Sequence, residues 1–181
     1  MKSKIFIIAI IAISFFTNIN AQKLTGEKLS FLKGQKTLHI VFDYSDLKIQ
    51  NNSESTALAM RGEEWAAQWE EAKSTTFNRQ FLAHLNKNLN VNGDVLLVGN
   101  YPEAHYQATV RVLSFGSVWG VECEVVFTKN NDLIPLTKIS VKGDSRRIGG
   151  IGGMGSNTYL AGSAMSFAGQ NLGRFMVKKI K

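Results

Sequence analysis

Two carboxylate pairs, Glu63-Glu64 and Glu70-Glu71, stand seven residues apart and have the chemistry for acid and base roles in a hydrolysis. His39, His84 and His105 are potential metal ligands or proton carriers, and Cys123, the single cysteine, is a potential nucleophile. Gly150-Ile151-Gly152-Gly153-Met154-Gly155 has the G-x-G-x-x-G spacing that lets a backbone approach a pyrophosphate, and the basic pair Arg146-Arg147 stands just ahead of it.

Most of these groups fail on their surroundings. Carboxylates seven apart on a helix lie over one another, whereas glycosidase carboxylates converge across a cleft, so the acid pairs read as a shared solvated face. The histidines show neither H-x-x-x-H nor H-E-x-x-H spacing, and each alone reads as a structural hydrogen-bonding residue. A lone cysteine excludes an intramolecular disulfide and a four-thiolate zinc site. Cys123 alternates in phase with Val121, Val125 and Phe127, the pattern of a small buried thiol. The glycine spacing lacks the acidic residue that a dinucleotide ribose needs about 20 positions on, because no Asp or Glu follows Asp144, and no further strand follows. No cofactor and no metal site are therefore expected. What remains is a candidate contact for an acidic partner, Arg146, Arg147, Gly150, Gly152 and Gly153, and a weaker acid/base alternative, Glu103 with His105.

The elements that must position these residues follow from periodicity. Lys36 to Tyr44 is β-branched and aromatic and predicts a first strand. Leu47 to Gly62 is polar and reads as a loop. Glu63 to Asn88 lacks Gly and Pro and predicts helix. Its stripe, however, is split: from Trp69 to Phe77 an α-helix turns by about 800°, which leaves the two aromatics about 80° apart. One helix with a wide buried face and two helices broken at Ser74 to Thr76 both fit. Four strands follow, from Asp94, His105, Val118 and Leu133 onward, and the last three alternate with short turns between them, the pattern of an antiparallel meander with one open face. Thr158 to Ile180 closes the chain as a helix that carries Gly162, Gly169 and Gly173. Each glycine weakens a helix by about 1 kcal/mol, and close packing on the sheet is the expected compensation.

Lys2 and Lys4, an apolar run from Ile5 to Phe16 and a small residue at Ala21 form a signal-peptide pattern. The run is shorter than the roughly 20 residues of a membrane span. Cleavage after Ala21 leaves 160 residues, enough for one domain with its own core: a lead-in over residues 22–35, then a domain over 36–181. Without Lys2 and Lys4 the chain holds 19 basic and 14 acidic residues, a net charge of +5. Lys129 to Lys181 alone has nine basic residues against Asp132 and Asp144. An exported basic tail points to an envelope protein, an acidic polymer or a membrane surface rather than to nucleic acid.

Several short motifs carry a resemblance: Phe42 to Ser45 (FDYS), Gly62-Glu63-Glu64-Trp65 leading to Trp69, Phe77 and Phe81 ahead of Leu85-Asn86-Lys87-Asn88-Leu89, and Tyr159 with Ala168-Gly169, Leu172-Gly173 and Phe175. In these the chain resembles a group of secreted proteins of Bacteroidetes. More distantly, its order of elements is similar to the periplasmic α/β domain of curli-secretion and penicillin-binding-protein-activator lipoproteins. No cysteine stands near the cut to carry a lipid, so the resemblance does not extend to a lipid tether, and it implies no catalytic residues.

These readings converge on an α+β two-layer sandwich, a mostly antiparallel sheet of about five strands in β-α-β-β-β-β-α order with helices on one face. The expected role is a non-catalytic binding or assembly module of the periplasm or the outer-membrane periphery. An envelope hydrolase and a homo-oligomer built on the glycine-containing helix are the alternatives.

Overall fold

The computed structural model describes residues 22–90, 95–116, 119–145 and 157–180. The leader, the glycine-rich run and Arg146-Arg147 lie outside these residues. The strands are β1 (Leu24–Gly26), β2 (Thr37–Asp43), β3 (Lys48–Ile49), β4 (Asn52–Ser53), β5 (Leu97–Gly99), β6 (Tyr106–Phe115), β7 (Val121–Lys129) and β8 (Thr137–Gly143). The helices are α1 (Glu54–Arg61), α2 (Glu63–Ala72), α3 (Asn78–Leu89) and α4 (Asn157–Ile180).

The class is mixed α/β, and the sheet has eight strands among the described residues rather than about five. Its order is β1-β8-β7-β6-β2-β5, with β3 running beside the far end of β6 and β4 folded back on β3. β6, β7 and β8 form the antiparallel meander that their alternation predicts. The mostly antiparallel expectation fails at β2, which is parallel to both β5 and β6, and at β3, which is parallel to β6, so the sheet is mixed. Parallel neighbours need a long crossover, and residues 44–96 supply one through the helices. The return from β5 to β6 takes only residues 100–105, which cross β2 over the open face: the Tyr101 N–H donates to His39 Nδ1 at 3.1 Å, and Asn130 donates to the Pro102 carbonyl. A six-residue link looks like a hairpin in sequence, so nothing local marks it as a crossing.

Two stretches are more ordered than their composition suggests. Residues 22–35 supply edge strand β1 and a 3-10 turn, Leu29–Leu32, whose Leu29 and Leu32 are buried in the core. The polar stretch from Leu47 to Gly62 holds β3, β4 and α1. Ser53 caps α1 by accepting the Thr56 N–H at 3.2 Å, and Ala57 is the one residue of α1 that is fully buried, so the helix carries little apolar signal.

α2 and α3 are one continuous rod joined by a π-helical turn, Lys73–Phe77, in which the Asn78 N–H reaches back five residues to the Lys73 carbonyl. A π turn takes in one extra residue, so the rotation from Trp69 to Phe77 falls from about 800° to about 700° and the offset shrinks to about 20°. Both aromatics then face the sheet. Hydroxyls of Ser74 and Thr75 donate to the Glu71 carbonyl at 3.1 and 2.8 Å, tying the turn back to the end of α2.

The compensation for the α4 glycines comes from a helix as well as from the sheet. Gly162, Gly169 and Gly173 share the face of α4 turned to the π turn and α3: an added Cβ would lie 2.2 Å from the Phe81 carbonyl oxygen at Gly169 and 3.0 Å from that of Leu85 at Gly173. Contact with the sheet is made through Ala164 and Ala168, where strand residue Gly143 leaves room for the α4 backbone. The small-residue face of α4 is therefore filled within one chain. Gly169→Ala should lower stability by about 2 kcal/mol or more in urea unfolding, because backbone overlap outweighs the roughly 1 kcal/mol of helix propensity gained. A variant as stable as the parent would refute this packing.

Candidate functional site

The residues nominated from sequence are not brought together. Glu103 and His105 are both exposed on the link into β6, and no hydrogen bond joins their side chains. The His105 ring lies against Tyr106 with centroids 4.7 Å apart. His39 is engaged as an acceptor for the 100–105 link, and His84 is half-buried on α3. Glu63, Glu64, Glu70 and Glu71 are exposed, as a solvated helix face requires. Arg146, Arg147, Gly150, Gly152 and Gly153 fall outside the described residues. Among the described residues, no group of three or more His, Cys, Asp and Glu is arranged to hold a metal ion. No described helix is long and apolar enough to cross a membrane.

Polar side chains nearer the core are closed upon one another. Glu54 accepts the Trp69 indole N–H at 2.8 Å and pairs with Lys73 at 3.1 Å, while Lys73 also meets Glu70 at 2.8 Å. Burial works against the Lys73 charge, but the bonds from Glu70 and Glu54 outweigh it and raise its pKa. Tyr44 donates to Asn78 Oδ1 at 2.7 Å, and burial raises its hydroxyl pKa. On the open face Arg111 meets Asp43, Asp46 and Glu124, Lys138 meets Glu124, and Lys142 meets Glu122. The Ser45 backbone N–H, with Arg111 as a lesser influence, holds the Asp43 carboxyl below its usual range. Arg61 lies between Trp65 and Trp119, its guanidinium 4.5 and 5.3 Å from the two ring centroids.

A concave feature lies elsewhere. A cavity of about 490 Å³ opens where α3 and α4 end and where the chain enters β2 and β5. Leu32, Leu89, Leu96, Val177 and Ile180 give it apolar walls, and exposed Lys33 and Lys36 border it. Gly34, also in the lining, holds φ at 79°, a left-handed conformation that turns the chain between the two lysines and that a β-carbon would strain. The size falls within the roughly 300–1,000 Å³ of small-molecule sites, and apolar walls with a few charges at the edge are their usual lining. In the sequence, Leu32 to Gln35 read as a lead-in, Lys36 as the start of a strand and the other walls as parts of helices and strands, with no site role for any of them. The available signal was Leu29, Phe31 and Leu32 packed beside Gly34 between lysines.

No family model matches the chain, and no curated protein matches it. Among solved structures, it is similar to a Leu-to-Met variant of the PelC dodecamer from Paraburkholderia phytofirmans, with 12% identity over 83% of this chain and 96% of that one and a TM-score of 0.41. A second crystal form of the PelC dodecamer from the same organism gives 11% identity over 83% and 95% of the two chains and a TM-score of 0.39. A likeness of this degree assigns nothing to the present chain.

Cys123 is fully buried, and burial pushes its thiol up to about 12, with the Glu122 charge adding to the shift. At pH 8 the folded protein should be alkylated by iodoacetamide about a thousandfold more slowly than the unfolded chain, since each pKa unit costs about tenfold in thiolate. Equal labelling rates with and without denaturant would place the thiol at the surface.

Proposed function

We propose that the mature chain is an exported, non-catalytic binding module of the cell envelope, and that the cavity bordered by Lys33 and Lys36 is its ligand site. The observation that carries this reading is the pairing of apolar walls with lysines that take part in no ion pair among the described residues. A molecule with an apolar body and an acidic end matches both features. Export is supported by the leader pattern of residues 1–21. The basic pair Arg146-Arg147, with Gly150, Gly152 and Gly153, is proposed as a separate contact for an acidic envelope partner.

The test uses residues 22–181 and a fluorescent anionic fatty acid, 11-(dansylamino)undecanoic acid. Saturable binding with one probe per chain is expected, weakened at least tenfold by Val177→Trp, which fills the cavity, and several-fold by Lys33→Gln with Lys36→Gln. Circular dichroism confirms that the variants fold. Unsaturable binding, or equal binding by parent and filled variant, would overturn the assignment.

A further inference from the structure

The same end of the molecule carries a second feature. Seven large apolar side chains are exposed among the described residues, and four of them, Val95, Leu97, Leu133 and Ile134, lie at this end. Topology places them at one end of the sheet, Val95 and Leu97 at its β5 edge and Leu133 and Ile134 beyond β7 and β8: β2, β5 and β6 all start here, and the turn from β7 to β8 closes here, because Tyr106 pairs with Lys129 and Thr137 with Phe127. Leu133 and Ile134 form the tip of that turn, 95% and 70% exposed.

The tip has a defined shape. Asn131 takes φ 63°, the Asp132 N–H donates to the Lys129 carbonyl at 3.0 Å, and the Ile134 N–H donates to Asp132 Oδ1 at 2.9 Å. These bonds hold two adjacent aliphatic residues out in water, which folding alone does not reward. Around them the charge is one-sided. Lys28, Lys33, Lys36, Lys129, Lys178 and Lys179 are exposed at this end, none in an ion pair among the described residues, with Glu27, Glu103 and Asp132 the exposed acids described at the same end. On the open face, by contrast, Arg111, Lys138 and Lys142 are all paired.

We infer that this end docks on an anionic lipid bilayer, with Leu133 and Ile134 entering the interface and the lysines meeting the headgroups. Short apolar tips ringed by cations bind in this way, since the apolar area and the surface potential act together. The inference shares Lys33 and Lys36 with the cavity but rests on the tip, Leu133 and Ile134, which is no part of the cavity lining.

Vesicle co-sedimentation tests it with residues 22–181. Binding to vesicles of phosphatidylcholine with 30% phosphatidylglycerol is expected. It should fall at least tenfold for Leu133→Asp with Ile134→Asp, and at least tenfold for the parent when salt rises from 50 to 500 mM. The double variant should keep its melting temperature and its binding of the dansyl fatty acid, which separates docking from the cavity. Failure of the parent to bind these vesicles would overturn the inference, as would equal binding by the double variant. So would protein dimerisation lost in that variant without any vesicle binding, which would assign the tip to a second copy.

Discussion

Trp69 is buried among Phe77, Phe115 and Trp119, with ring centroids 4.9, 5.3 and 5.8 Å away. For Trp69 and Phe77 to meet there, two stretches of one helix that the α-repeat would leave about 80° apart must face the same way. The π turn at Lys73–Phe77 meets that requirement, and the rest of the fold is arranged around the result. Once Phe77 points inward, Phe81, Leu85 and Leu89 follow down the same face of α3, and the glycine face of α4 has a straight neighbour to lie along. Burying so many aromatic rings in one contact network is a large part of what holds a domain of this size, since truncating one core Trp or Phe typically costs about 3–5 kcal/mol.

The proposed ligand site sits where packing stops. Glu54, Trp69 and Lys73 close a half-buried polar cluster, and Arg111 and its carboxylates neutralise the open face, so neither presents unmatched charge to a ligand. At the end where α3 and α4 finish, no further described element lies over the space between Leu89, Val177 and Ile180 and the residues leading into β2 and β5. That leaves the cavity, and it places α4's Lys178 and Lys179 beside the lysines of residues 28–36. The clustering of cations at helix C-termini is favoured by the helix dipole, so part of this basic end has a structural origin that the proposed binding role would use.

Much of this was legible in the chain. The alternation in β6, β7 and β8 announced the meander and the buried thiol, and the stripes in residues 63–89 and 158–180 announced the helices. The parallel placement of β5 and β6 was not legible, because it depends on a crossing fixed by His39 and Pro102, residues far from each other in sequence. α1 was hidden because one small residue, Ala57, is all that it buries fully. The cavity was hidden because its walls come from four separate segments, each ordinary alone. The glycines of α4 were read correctly as packing residues, but their main partner is α3, and periodicity along one helix does not say which neighbour it meets.

The alignment of Trp69 with Phe77 is open to a direct measurement: urea unfolding of two single-residue deletions. Removing Ser74 takes the extra residue out of the π turn and leaves both flanks facing as before, so cooperative unfolding within about 2 kcal/mol of the parent is expected. Removing Ala83 from regular α3 turns Leu85 and Leu89 by about 100° relative to Phe77 and Phe81, and the cooperative transition should be lost. If deletion of Ser74 proves as damaging as deletion of Ala83, the π turn does not absorb a residue and the account of the core is wrong.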